Sequence, residues 1–404
     1  MSEFAKLAHE AMRQPQESLE GVANKKQQLF IGIPKEMDAQ ENRIPLTPLS
    51  VGLLVENGHR VVMQSGAGQR SNFLDRHYVE QGAEIAYDAK EVYEKANLII
   101  KIGAPTLPEI EMMKENQTLM SCQPPTFIDL ACLKALMKKR ITAISYENLR
   151  DEGGVLTVVR AMSEIVGATS VLIAAEYLSK VFDGKGLMLG GITGVPPTEM
   201  VILGAGTVGE FAARTALALG AQVKVFDSSL YRLRRLQNNV GSRVYTSVLQ
   251  PTIMKKAILS SDVVIGAIRS DNGRSPSVVS EETVSQMKPN SVLIDVSIDQ
   301  GGCFETSEMT THDKPVFRKY DVIHYCVPNI ASRVARSASY ALSNIFAPIL
   351  VEFGDEGSFV NLIWKKAGVR NAVYLYQGHL TNQDIAKRFD LPLKNLDLLV
   401  LAKQ

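Results

Sequence analysis

Residues 201–209 read VILGAGTVG, and this stretch restricts the fold more tightly than any other in the chain. Gly204, Gly206 and Gly209 form G-x-G-x-x-G, with a β-branched run before them and a helical run, EFAARTALALG, after them. Asp227 closes the next apolar run, 23 residues past Gly204. Each glycine has a steric reason: the first permits a tight turn, the second lets backbone approach a pyrophosphate, and the third lets helix and strand pack closely. The helix start then presents unpaired N–H groups to the phosphates. An acidic residue at Asp227 accepts hydrogen bonds from ribose hydroxyls and repels a 2′-phosphate, which favours NAD over NADP. Arg232 lies close enough to accommodate such a phosphate and marks the alternative.

Around this unit, β-branched runs alternate with helical ones. LFIGIP, HRVVMQS, LIIKIG and ITAISYE precede the motif as expected strands, and VKVFD, VVIGA, SVLIDVS and VIHYC follow it. Helices are expected near 48–57, 157–181, 333–353 and 382–389. Such alternation predicts an α/β chain of two Rossmann-like domains with parallel sheets and an active-site cleft between them. The Gly- and Pro-rich run GKGLMLGGITGVPPTE looks like a junction. Residues 1–27 read as a short amphipathic helix, with Phe4, Leu7, Ala8, Ala11 and Met12 on one face, followed by a polar linker. This extension either packs on its own subunit or reaches a neighbour.

The charge balance removes several function classes. Lys and Arg number 44 against 43 acidic residues, so no electrostatic footprint for nucleic acid or an anionic membrane is present. RLRR at 232–235 is the densest basic run and reads as a solvated helix face. Cys122, Cys132, Cys303 and Cys326 show no CxxC spacing, which implies reduced thiols and no metal centre. The N-terminus has no secretory pattern, so a soluble, cytoplasmic protein with a small-molecule substrate is expected.

Substrate chemistry must come from loops at strand ends. Arg43, in ENRIPLTP after the first strand, can grip a carboxylate through its fork; a surface ion pair is the bland alternative. Lys101 interrupts the apolar run LIIKIG, as a functional or a snorkelling lysine would. Asp299, in VSIDQGG, is placed to act as a general base or to cap a turn. His324, in VIHYC, reads as a packed strand residue. The loop SCQPPTF, 121–127, sits where a proton-handling residue is expected and offers Gln123.

Together these stretches resemble the alanine dehydrogenase family, which is related to the nucleotide-binding first domain of proton-translocating nicotinamide nucleotide transhydrogenases. The resemblance runs through IGIPKE (31–36), ENRIPLTP (41–48), GHRVVMQSGAG (58–68), MSEIVG (162–167), GGITGVPP (190–197), the Gly204 motif, MKPNSVLIDVSIDQGGCFETS (287–307) and HYCVPN (324–329). It implies NAD-linked oxidative deamination of L-alanine to pyruvate and ammonia. It also implies a substrate domain of 28–157 plus 336–404, an NAD-binding domain of 158–335, and a homo-oligomer, usually a hexamer. By the same resemblance Arg43 holds the substrate carboxylate and Asp299 lies beside the nicotinamide. Ser163, Asp227, Arg232, Ala267, Ile268, Ile298, Val327 and Asn329 match positions that contact the dinucleotide. Two family positions are not matched: a histidine is expected near Gln123, and a second substrate lysine where Gly103 stands. The acid/base role is then expected to pass to Asp299, with Lys101 or Gln123 assisting. The alternatives are an oxidoreductase for another amino or 2-oxo acid, and a non-catalytic NAD(H)-binding regulator.

Overall fold

The computed structural model of the chain describes residues 26–122, 128–269 and 275–401; residues 1–25 of the N-terminal extension and Gln123 lie outside them. The strands of the first half are β1 (Phe30–Ile33), β2 (Arg60–Gln64), β3 (Glu84–Ala86), β4 (Leu98–Ile100), β5 (Thr118–Ser121) and β6 (Thr142–Ser145). Those that follow the long helix Thr157–Leu178 are β7 (Glu199–Leu203), β8 (Gln222–Phe226), β9 (Tyr245–Ser247), β10 (Val263–Gly266), β11 (Val292–Asp295), β12 (Val316–Lys319) and β13 (Val322–Tyr325). Two more, β14 (Val373–Tyr376) and β15 (His379–Leu380), come near the chain end.

These strands make two sheets. One runs β3-β2-β1-β4-β5-β6-β14-β15, the other β9-β8-β7-β10-β11-β13-β12. Strands β1 to β6 pair in parallel, as do β7 to β11 and β13. The antiparallel additions are β14 on β6, β15 on β14 and β12 on β13. The strand order reverses beside β1 in one sheet and beside β7 in the other, so each sheet has a switch point between β1 and β4 or between β7 and β10. Ligands of doubly wound sheets bind outside the carboxyl ends of strands at such points. Apolar side chains are buried on both faces of each sheet: Val62, Ile99 and Leu119 against Ile31, Ile100 and Met120 in the first, and Val201, Val264 and Leu293 against Met200, Ile265 and Ile294 in the second. That two-sided burial explains why the strands read as continuous apolar runs.

Two helices tie the sheets together. Thr157–Leu178 is long and apolar enough to cross a membrane, the only such helix among the described residues. It packs instead along helix Thr207–Ala218. Gly167 permits this contact, since a Cβ there would lie 2.4 Å from the Val208 carbonyl and 2.8 Å from Phe211 Cβ. Helix Ala335–Asp355 packs on Thr157–Leu178 and on Pro48–Glu56, and carries the chain from the second sheet back to the first. The Gly- and Pro-rich run before β7 folds onto itself, with Thr198 N–H donating to Gly190 O and Gly190 N–H donating to Thr198 Oγ1. His324 is buried in β13, its ring 4.7 Å from Phe317 and its Nε2 2.9 Å from Thr306 Oγ1.

Candidate active site

The expected nucleotide residues line one edge of the second sheet. Gly204 to Gly209 follow β7, Asp227 follows β8, Ala267 and Ile268 follow β10, Ile298 follows β11, and Val327 and Asn329 follow β13. Gly204 has φ +109°, and a Cβ there would lie 2.4 Å from the Ala267 carbonyl; the same atom on Gly209 would lie 1.8 Å from Gly204 O. Only glycine fits either place. A Cβ on Gly206, by contrast, meets nothing within 4 Å, so the helix start opens onto free space of the kind a pyrophosphate needs. Asp227 is buried, and its carboxylate accepts from Ala205 N–H and Ser229 N–H, both at 2.7 Å. A carboxylate has about four acceptor positions, so two stay free for ribose hydroxyls. Arg232, half-buried on the next helix, pairs with no carboxylate among the described residues. Ser163 approaches from helix Thr157–Leu178. The residues present therefore fit a dinucleotide.

The facing edge belongs to the first sheet. Arg43 lies in the loop after β1, and its fork is already engaged: Nε and Nη2 donate to the Glu41 carboxylate at 2.8 and 2.6 Å. Burial disfavours charge on both side chains, but their mutual attraction wins, holding Glu41 below and Arg43 above the ordinary value. The outer Nη1 meets only Met162 Sδ at 3.4 Å, a weak acceptor that a carboxylate would displace. Glu41 also accepts from Asn329 Nδ2 at 3.0 Å, so one carboxylate joins Arg43 to the expected nucleotide edge.

Three serines hold this loop. Ser332, Ser339 and Ser343, buried along the returning helices, accept from the N–H groups of Asn42, Ile44 and Thr47 at 2.8, 2.9 and 2.9 Å. A buried N–H left unpaired costs about 1–3 kcal/mol, so each serine contributes to the position of Arg43. Sequence reading missed them. The four-residue spacing of Ser339 and Ser343 on one face of helix Ala335–Asp355 was the available signal.

Lys101 does not reach the open cleft. It is 2% exposed, and its ammonium lies 2.8 and 3.0 Å from the two Glu109 oxygens and 3.6 Å from Glu36. Glu36 in turn accepts from the Ile102 and Gly103 N–H groups at 2.5 and 3.2 Å. Burial keeps Glu36 above the usual carboxylate range against the pull of Lys101. A charge sunk at the end of β4 must be paired there, and two carboxylates do so. Lys101, for which a catalytic and substrate-binding role is expected, is here engaged by Glu109 and Glu36 beside the β1–β4 switch point.

Asp299 sits on the single turn Ile298–Gln300 after β11. Asp295 fixes that turn by accepting from Ser297 N–H, Cys303 N–H and Ser307 Oγ at 3.1, 2.8 and 2.6 Å. Asp299 is exposed by residue, yet partial desolvation of its carboxyl raises its proton affinity against the pull of Arg269. Glu147 follows β6 in the turn Tyr146–Asn148, and the Asp299 charge raises its proton affinity. Glu147 was read only as the end of a strand, so the cleft holds one more carboxylate than the sequence suggested.

Comparison with known proteins agrees with this arrangement. Residues 32–166 match the N-terminal domain, and residues 170–383 the C-terminal domain, of the alanine dehydrogenase/PNT family. The chain is 37% identical over 373 residues to an alanine dehydrogenase of Mycolicibacterium smegmatis, covering 90% of this chain and 98% of that one. It is 40% identical over 374 residues to an alanine dehydrogenase of Methanococcus maripaludis, covering 90% and 97%. A solved L-alanine dehydrogenase superposes with TM-score 0.84 at 34% identity, over 90% of this chain and 99% of that one. A transhydrogenase from Sinorhizobium meliloti, 23% identical over 88% of this chain and 99% of that one, shares the fold at TM-score 0.74.

Proposed function

Because the chain belongs to the alanine dehydrogenase family, we propose that it catalyses the NAD-dependent oxidative deamination of L-alanine to pyruvate and ammonia in the cleft between its two sheets. The observation that carries this reading is the Arg43–Glu41–Asn329 chain, which sets a carboxylate-binding group against the nucleotide edge. Residues 28–157 and 336–404 then form the substrate domain and 158–335 the NAD-binding domain. The membership of β14 and β15 in the first sheet supports that division. A cytoplasmic homo-oligomer, a hexamer by analogy, belongs to the same reading.

NAD supplies the hydride acceptor when bound. The Gly204–Gly209 turn and helix start hold its phosphates, and Asp227 with Arg232 holds the adenosine ribose. Ser163, Ala267, Ile268, Ile298, Val327 and Asn329 line the remainder. Arg43 Nη1, backed by Glu41, grips the substrate carboxylate and so orients the Cα hydrogen. Asp299, on a turn fixed by Asp295, stands where positive charge develops at the reacting carbon. By the family resemblance, Gln123 contributes a neutral contact to the substrate.

The test is the rate of NADH oxidation by purified protein with pyruvate plus ammonium, beside a panel of other 2-oxo acids. Turnover with pyruvate is the expected result. A second reading, another amino or 2-oxo acid, is favoured by one observation: residues 118–130 contain no histidine, and Gly103 stands where the resemblance expects a lysine. Turnover only with another acid would establish it. Silence across the panel with NADH still bound would indicate a nucleotide-binding regulator. Independently, Asp227→Ala is expected to weaken NADH binding at least several-fold in a fluorescence titration, and unchanged affinity would remove the ribose assignment.

A further inference from the structure

The carboxylates around the cleft divide into committed and uncommitted groups. Glu41 is held by Arg43 and Asn329. Glu36 and Glu109 are held by Lys101 and by backbone or hydroxyl donors. Asp295 is held by two N–H groups and Ser307. Asp299 and Glu147 remain, and neither forms an ion pair within 4.0 Å among the described residues. A half-buried glutamate without such a pair is uncommon, since the desolvated charge lacks compensation.

The position of Glu147 is set by its neighbours. Tyr146 Oη donates to Ile102 O at 2.6 Å, and Cys122 N–H donates to the same oxygen at 3.1 Å. One carbonyl thus pins the carboxyl ends of β4, β5 and β6 together, and Glu147 projects from that point. The Cys122 side chain lies close enough to lower the proton affinity of its carboxylate. From the first domain Arg43 acts on its charge; from the second, Arg269 after β10 and Asp299 after β11 do so. Glu147 is therefore within electrostatic reach of the substrate arginine and of the residue beside the nicotinamide. Two carboxyls in one cleft with different surroundings are the usual means of dividing proton-handling roles.

We propose that Glu147 is the acid/base of this reaction, activating the water that adds to the imine carbon. The inference rests on the deamination reading above. Once hydride has left Cα, the substrate is an imine. A water oxygen–carbon bond forms, and the water proton passes to the Glu147 carboxylate. The nitrogen takes that proton, the hydroxyl proton follows to nitrogen by way of the same carboxylate as the carbon–nitrogen bond breaks, and ammonia leaves with the carbonyl of the 2-oxo acid remaining. The two electrons have gone to NAD, so no further oxidant is needed. Burial, opposed by Cys122, Arg269 and Arg43 and reinforced by Asp299, raises the proton affinity of Glu147 toward the range useful for both steps.

The experiment is stopped-flow NADH formation from NAD and L-alanine in wild type and Glu147→Gln, across pH, with NADH affinity and melting temperature as controls. Wild type is expected to turn over steadily, with a rate that falls on the acid side as Glu147 protonates. Glu147→Gln is expected to keep a first-turnover burst of NADH, then run about 10²-fold slower, without the acid limb. A steady rate and pH profile equal to wild type would overturn the proposal. So would equal loss of burst and steady rate with normal NADH binding, which would place Glu147 before hydration. A wild type silent with alanine and with the panel would remove the deamination reading and this inference with it.

Discussion

Asp299→Asn is expected to lower turnover by about 10²- to 10⁴-fold while leaving NADH affinity nearly unchanged. The turn that carries the residue is built by Asp295, not by Asp299, so an isosteric amide preserves its backbone. What the substitution removes is a negative charge facing the reacting carbon. That charge also raises the proton affinity of Glu147. The acid limb of any residual activity is therefore expected to move to lower pH, because Glu147 then loses its proton more readily. Stopped-flow rates and a fluorescence titration measure both parts. Wild-type turnover in the variant would exclude Asp299 from the mechanism. A matching loss of NADH affinity would mark it as a binding residue instead.

Lys101→Met is expected to destabilise the first domain by about 3–5 kcal/mol, the usual result of removing one partner from a buried ion pair. The substitution keeps the apolar stem but leaves Glu109, on helix Leu107–Met112, and Glu36, after β1, desolvated without their shared ammonium. Hydrogen exchange of the β1 and β4 amides is the suitable measurement, because a two-domain chain need not unfold in one step. The double substitution Lys101→Met, Glu109→Gln is expected to recover part of the loss, since one orphaned charge disappears with its partner. If Lys101 instead served the substrate directly, the single variant would lose activity with its amide protection intact.

These two residues illustrate how far the sequence could be read. Asp299 was recognisable because a polar residue after a β-branched run and before two glycines marks a strand end in a parallel sheet. Lys101 was noticed for the same reason, but its partners were not, since Glu36 lies 65 residues before it and Glu109 eight residues after it, across a turn. The helices at 48–56, 157–178, 335–355 and 383–389 followed from periodicity. Strand β12 did not: its two-residue turn to β13 uses Tyr320 and Asp321 at φ +54° and +57°, in place of the Asn-Gly that would have signalled a hairpin. Strand β14 is a buried run, VYLY, whose partner β6 lies some 230 residues earlier, and no local pattern names a partner.

The sequence by itself determined the local geometry: which runs alternate, where glycine is required, and that a dinucleotide turn opens the second half. Those features depend on φ preferences and on apolar spacing, which neighbouring residues settle among themselves. Only the tertiary structure decided the state of each charge. Whether Arg43 is free or paired, whether Lys101 faces ligand or carboxylate, and whether Glu147 has an ion-pair partner depend on which loops the sheets bring together. Desolvation and Coulomb attraction act through space, so the groups that win the pairing leave Asp299 and Glu147 as the carboxylates available for chemistry.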